Sequence, residues 1–178
     1  NKDFLEQCFY SLNRNKATGV DNVSWYEYRE DLEENLTGLV DRLKRKKYKP
    51  IPARRVYIPK DNGEQRPLGV SAIENKIVEK GITAILQCIY EQDFSDISYG
   101  FRPKRNCHQA LNELDDQIMR NSVNHVVEAD IKGFFDNVSH ERLMEFLRIR
   151  IKDSSMLSLI GKFLRAGYVD STLVVIPE

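Results

Sequence analysis

Residues 126–138 read VVEADIKGFFDNV. An apolar run through Val126, Val127 and Ala129 delivers one carboxylate, Asp130, to a bend at Lys132-Gly133. Two adjacent rings, Phe134 and Phe135, follow, and then a second acid, Asp136. A carboxylate at the end of an apolar strand, with a flexible bend behind it, suits a hard divalent ion. Mg²⁺ takes oxygens at about 2.0–2.1 Å and usually uses one or two protein carboxylates plus substrate phosphates. The plainer reading of Asp130 alone is a strand-end aspartate opening a turn. For Asp136, in Asp-Asn-Val-Ser ahead of a helix, ordinary turn chemistry is the stronger reading.

A second set of chemically capable residues flanks Asp61-Asn62-Gly63. This tripeptide reads as a hairpin turn, with glycine where a positive φ is needed. Lys60 and Arg66 then stand on opposite arms and can reach the same side. An ammonium and a guanidinium fork so placed match a triphosphate, and the alternative is a solvated hairpin. In SYGFRPKR (98–105), Arg102 and Lys104 suit a nucleic-acid backbone, while Tyr99 and Phe101 either stack on bases or fill a core. His108 and His125 lie in no metal-ligand spacing and read as structural or surface residues.

The formal net charge is zero, which by itself points away from nucleic acid, but its distribution is uneven. Residues 21–41 carry seven acids and one base, a net of −6, whereas residues 42–66 carry ten bases and two acids, a net of +8. Such a block attracts a polyanion even from a neutral chain. Lysines at a helix end would account for Lys44 to Lys47. They would not account for Arg54, Arg55, Lys60 and Arg66, which lie beyond Pro50 and Pro52.

The chain of 178 residues suffices for one domain or two small ones. No apolar run approaches the length of a membrane span. Cys8, Cys88 and Cys107 are odd in number and lack ligand spacing, which predicts buried free thiols in a reducing, cytoplasmic setting. The first residue is Asn1, so a trimmed piece is expected, with any targeting peptide left open. Apolar spacing predicts a short helix over 3–12 and a long one over 25–46, the latter opened by a Ser24/Glu27 capping box. ARRVYIPK and EQRPLGV form the hairpin arms, and Pro59 and Pro67 mark them as edge-type strands open to a ligand. Ser71 and Glu74 suggest a second capping box, with a helix behind it. Helices follow at 107–120, from Ser139 (with Leu143, Phe146, Leu147 and Ile151 on one face) and at 154–165. Strands are expected at 124–131, apolar enough for a sheet interior, and at 171–176. The fold class is α+β.

In order, the pieces KATGVD, YKPIPARRVYIPKDNGEQRPLGV, YEQDFSDISYGFRPKRNCHQAL, EADIKGFFDNVSHERL and FLRAGY resemble the N-terminal half of bacterial group II intron reverse transcriptases, also called intron maturases. The resemblance covers almost the whole chain. It implies a helical fingers region with a β-hairpin over 1–123, its boundary falling within 92–124, and an incomplete right-hand palm over 124–178. Asp130 matches the first catalytic aspartate, and the Ile131 carbonyl helps hold the second of two Mg²⁺ ions. Lys60 and Arg66 match the residues that grip the incoming triphosphate. Phe135, five residues after Asp130, matches the aromatic gate against ribose, and Ile131 and Lys132 fall with it at the nucleotide site. Phe134 is expected to pack beneath. Arg54, Arg55, Arg102 and Lys104 are the expected nucleic-acid contacts.

The implied activity is RNA-directed DNA polymerisation, with deoxynucleoside triphosphates, a DNA primer, an RNA template and intron RNA as partners, and no membrane. The family's next segments, Pro-Gln-Gly and then Tyr-Ala-Asp-Asp with the other two catalytic aspartates, do not occur in this sequence. The expectation is therefore a fragment inactive by itself. Two other readings stay open: a non-catalytic module that binds intron RNA in splicing, and a related CRISPR- or defence-associated reverse transcriptase.

Overall fold

The computed structural model describes residues 1–61, 63–170 and 173–176. It is a mixed helical structure with a small four-stranded sheet. The chain divides into two compact units. One comprises residues 1–84 with the described residues from Ser139 on; the other is Ile85–Val138.

In the first unit, α1 (Lys2–Tyr10), α2 (Trp25–Glu30), α3 (Leu32–Lys44) and the start of α4 (Ile73–Tyr90) enclose one core. Phe9 stacks face to face on Trp25 with ring centroids 4.7 Å apart, and the Trp25 indole N–H donates to the Phe9 carbonyl at 3.3 Å. Leu36, Leu39, Tyr48 and Ile77 fill the centre, and Leu159 and Phe163 of α7 (Ser154–Leu164) pack against them. The expected Ser24/Glu27 capping box opens α2. The single helix expected over 25–46 is instead broken at Asp31, whose φ of −111° and ψ of 37° leave the helical region. The break exposes a carbonyl at Tyr28, and the Asn35 side chain satisfies it at 3.0 Å.

Strands β1 (Ala53–Pro59) and β2 (Gln65–Val70) pair antiparallel, and β3 (Tyr168–Asp170) pairs antiparallel with β4 (Leu173–Val175). Ala53 and Arg54 join the two pairs through a parallel ladder to Tyr168 and Val169, giving the order β2-β1-β3-β4. The edge-strand expectation therefore holds for β2 and fails for the start of β1. Pro59 is tolerated because it ends β1 beyond the stretch that β3 covers. Asn62, and Ser171 and Thr172 of the expected last strand, lie outside the described residues.

Asn75 fixes the entry to β1. Its buried side-chain oxygen accepts from the Tyr48 hydroxyl (2.8 Å) and the Ile51 N–H (3.2 Å), and its amide donates to the Ile51 carbonyl (2.6 Å). The second capping box expected at the start of α4 does not form as drawn. The Ser71 hydroxyl donates to Glu79, and the Glu74 carboxylate receives both guanidinium arms of Arg42, at 2.6 and 2.9 Å. In the same unit Ser139 caps α6 (His140–Arg150), whose Leu147 is buried beside Ile151, while Phe146 is exposed.

The second unit holds the end of α4, a 3₁₀ turn at Glu91–Asp93, the loop to Asn106, α5 (Cys107–Arg120) and the stretch to Val138. Asn106 and Gln109 form a capping box that opens α5. The strand expected at 124–131 has no ladder partner among the described residues, and Val126 and Val127 are exposed. An apolar run becomes a strand only where a neighbouring backbone takes its hydrogen bonds, and none does so here. All three cysteines are free, but only Cys8 is buried, so the expectation of buried thiols fails for Cys88 and Cys107.

Candidate functional site

The hairpin positions two cations by register. Ile58 lies opposite Arg66 and Val56 opposite Leu68. Side chains alternate along a strand, so Lys60, two residues past Ile58, continues the face that carries Arg66. The turn is closed by Lys60 N–H to Glu64 O (2.7 Å) and Gly63 N–H to Lys60 O (3.0 Å). An open hollow of about 570 Å³ on this face is lined by Ile58, Pro59, Lys60, Asp61, Arg66 and Leu68. The Lys60 ammonium is 2.8 Å from the Glu64 carboxylate, with both side chains exposed. A pair in that setting adds little stability, about 0–1 kcal/mol, so a phosphate can displace it readily.

The arginines expected to contact nucleic acid, Arg54, Arg55 and Arg102, have protein partners. Arg54 donates through Nε (3.2 Å) and Nη2 (2.8 Å) to the Thr18 carbonyl, and so ties the KATGVD loop to β1. Lys76 donates to the neighbouring Ala17 carbonyl at 2.8 Å. At Gly19 the loop backbone meets Ala72 so closely that a Cβ would lie 2.6 Å from the Ala72 backbone, which leaves room only for glycine. Arg55 lies over the Tyr168 ring, 3.7 Å from its centroid, and the Tyr57 hydroxyl donates to Asp170 at 2.6 Å. On the second unit, the Arg102 side chain is 6 % exposed. It pairs with Glu91 at 2.9 Å and donates to the Ser95 and Ser98 carbonyls at 2.7 and 2.8 Å, organising the loop around itself. Lys104 is exposed, with its backbone at φ +60°. Phe101 is fully exposed rather than part of a core.

Asp130, Ile131, Lys132 and Phe135 are all exposed residues of the second unit. The expected bend is present: Gly133 has φ +61°, a region glycine enters without strain. Its carbonyl accepts from the Asn137 side chain at 2.7 Å and from the Asn137 N–H at 3.2 Å. Phe134 and Phe135 meet edge to face at 5.4 Å. Phe135 is 87 % exposed and Phe134 51 %, so Phe134 does not occupy the buried place expected for it. Among the described residues no three His, Cys, Asp or Glu side chains converge on a metal site. Asp130 and the Ile131 carbonyl are hard oxygen donors adjacent in the chain. They fit part of one Mg²⁺ shell and fall short of a two-ion site.

Residues 58–175 match the family model for reverse transcriptase (RNA-dependent DNA polymerase). The chain belongs to the reverse transcriptase family. It is 39 % identical over 155 residues to protein YkfC of Escherichia coli K12, covering 85 % of this chain and 41 % of that protein. It is 41 % identical over 140 residues to the group II intron-encoded protein LtrA of Lactococcus lactis, covering 78 % of this chain and 23 % of LtrA. A 91 kDa protein in the cob intron of Schizosaccharomyces pombe is 36 % identical over 174 residues, covering 94 % of this chain and 21 % of that protein. The chain thus spans less than half the length of these curated relatives. The resemblance to group II intron reverse transcriptases read from the motifs holds. No helix among the described residues is long and apolar enough to cross a membrane.

Sequence reasoning missed the group beneath the KATGVD loop: Arg54, Lys76, Glu79 and the Thr18 carbonyl. Burial raises the Glu79 carboxyl above the ordinary glutamate range, against the opposing pull of Ser71 and Lys76. Burial likewise lowers Lys76 below the usual ammonium range. Asn75 was missed as well. The available signal was its place inside an apolar helical face, where a polar residue must find partners.

Proposed function

We propose that this chain is the fingers region and the N-terminal part of the palm of an RNA-directed DNA polymerase of group II intron type, with the boundary within residues 92–124. What supports the reading is that the family match from 58 to 175 takes in Lys60, Arg66 and Asp130 together. In the reaction a primer 3′-hydroxyl attacks the α-phosphorus of a deoxynucleoside triphosphate. A new phosphorus–oxygen bond forms, the α–β bridge breaks, pyrophosphate leaves, and the hydroxyl proton passes to solvent. Lys60 and Arg66 bind the triphosphate, with Lys60 exchanging Glu64 for phosphate oxygens. In the second unit, Phe135 is the gate against a 2′-hydroxyl and Lys132 a nucleotide contact. Asp130 and the Ile131 carbonyl would hold Mg²⁺, which when bound neutralises charge on the phosphates. Lys104 and the open face of Arg55 meet template or primer phosphates, while Arg54 and Arg102 shape the loops that present them.

The experiment is primer extension on an RNA template by a protein of the relatives' length carrying this chain, with Asp130→Asn beside it. Extension that disappears in the variant supports the reading, and extension that persists refutes the role of Asp130. A second reading, an intron-RNA-binding splicing module, is favoured by one observation: Lys46, Lys47 and Lys49, after α3, stand exposed and pair with no carboxylate among the described residues.

A further inference from the structure

The +8 block separates in three dimensions into two kinds of cation. Arg42, Arg45, Arg54 and Arg55 are engaged by Glu74, Asp41, the Thr18 carbonyl and the Tyr168 ring. Lys44, Lys46, Lys47 and Lys49 are all exposed around the C-terminus of α3, and none forms an ion pair with a described carboxylate. Asp153, which feels the Lys46 charge, has its Oδ1 already occupied by the Ser155 and Met156 N–H groups that it caps.

The backbone there carries a second signal. Lys47 N–H donates to the Arg42 carbonyl at 2.8 Å, and Lys46 N–H to the Leu43 carbonyl at 3.0 Å. This pair of bonds is the Schellman helix ending, whose turning residue sits in the left-handed region and is usually glycine, sometimes asparagine. Here the turning residue is Lys46, at φ +58°. A long β-carbon-bearing side chain is strained in that position, and such strain points to a use for the side chain. The turn is braced from within: the Tyr48 ring is buried, and the Lys162 ammonium donates to the Lys46 and Tyr48 carbonyls at 2.7 and 2.9 Å. A rigid support thus presents four exposed ammonium groups within six residues.

We infer that Lys44, Lys46, Lys47 and Lys49 form an RNA phosphate-binding patch, and that lysine replaces glycine at 46 to complete it. The inference rests on and deepens the proposed reverse transcriptase reading by naming further residues that hold the RNA, beside Arg55 and Lys104. Ammonium groups are point charges without a planar fork, so the patch reads backbone charge and not base sequence.

Three proteins test it: the wild-type chain, Lys46→Gly, and the triple variant Lys44→Gln/Lys47→Gln/Lys49→Gln. Fluorescence anisotropy measures binding of a labelled RNA hairpin between 50 and 200 mM salt, and a thermal melt is run on each. Lys46→Gly is expected to melt a few degrees higher, from relief of strain, and yet to bind RNA several-fold more weakly. The triple variant should lose at least about tenfold at 100 mM salt and flatten the log–log salt slope by about 2–3. Wild-type binding that is absent, or binding and slope unchanged in the triple variant, overturns the patch. So does Lys46→Gly that gains stability with affinity intact. Primer extension by a protein of the relatives' length keeps the two claims apart. Normal RNA affinity in the triple variant beside positive extension removes the patch and leaves the polymerase; lost affinity beside absent extension does the reverse.

Discussion

Arg54 and Thr18, 36 residues apart in sequence, are joined by two hydrogen bonds from one guanidinium to one carbonyl, at 2.8 and 3.2 Å. An arginine that looks on paper like a phosphate ligand instead fastens a glycine-containing loop to the base of the hairpin. Arg54→Ala should therefore destabilise the fold by about 1.5–3 kcal/mol, the usual worth of hydrogen bonds to a charged group. Urea denaturation would show a lower midpoint at unchanged slope. A midpoint equal to wild type would mean that the tie contributes nothing.

Glu79 gives a pH dependence of definite sign. Burial raises its folded-state pKa above the unfolded value, so the protonated form is favoured in the folded protein. Its contribution to stability is complete below the unfolded pKa and is lost as pH rises through the folded one. Glu79→Gln removes that loss. The variant should therefore gain on wild type as pH climbs from about 4 towards neutrality. Denaturation midpoints of the two proteins from pH 4 to 8 check this, and a difference that stays constant across the range would contradict it.

Lys60→Ala and Arg66→Ala should chiefly raise the KM for the nucleotide in a protein of the relatives' length. Each lost charge-assisted contact is worth about 1.5–3 kcal/mol, or about ten- to a hundred-fold. Glu64→Gln should act in the opposite direction, since it releases Lys60 from its exposed partner. Steady-state kinetics with KM and kcat both unchanged in the two alanine variants would return the hairpin to a solvated surface.

Much of this was legible in the sequence, and the failures are physical. The hairpin was readable because Asp61 and Gly63 fix the turn and the register follows from it, which also placed Lys60 and Arg66 on one face. Helix α5 was readable from apolar spacing that stops at Arg120. The break at Asp31 was hidden because Trp25, Tyr28, Leu32, Leu36 and Leu39 keep helical spacing straight through the boundary. Strand β3 has three residues, too few for alternation to show. The strand expected before Asp130 failed because apolar character cannot say whether a partner strand is at hand. Arg54 is held by a backbone carbonyl, and Arg102 by two backbone carbonyls beside Glu91; every residue has a carbonyl, so charge patterning could not distinguish a tied guanidinium from a free one.

Phe135 should set sugar selectivity. A ribose 2′-hydroxyl pressed against its ring would lose water without gaining a partner. Phe135→Ala should lower the ratio of kcat/KM for deoxyribonucleotides over ribonucleotides. Phe134→Ala should leave the ratio alone, and its half-exposed ring makes the accompanying stability loss smaller than a core truncation. A ratio that collapses in Phe134→Ala and holds in Phe135→Ala would reverse the two assignments.

Asp130 is proposed above as a catalytic carboxylate of a template-directed polymerase. Asp130→Asn preserves size and removes the charge. The decisive measurement is primer extension and RNA binding on the same preparation of a protein of the relatives' length. Extension is expected to be abolished while hairpin RNA affinity stays within about twofold of wild type, since Asp130 contributes no phosphate contact. Extension at the wild-type rate with asparagine at position 130 would contradict it.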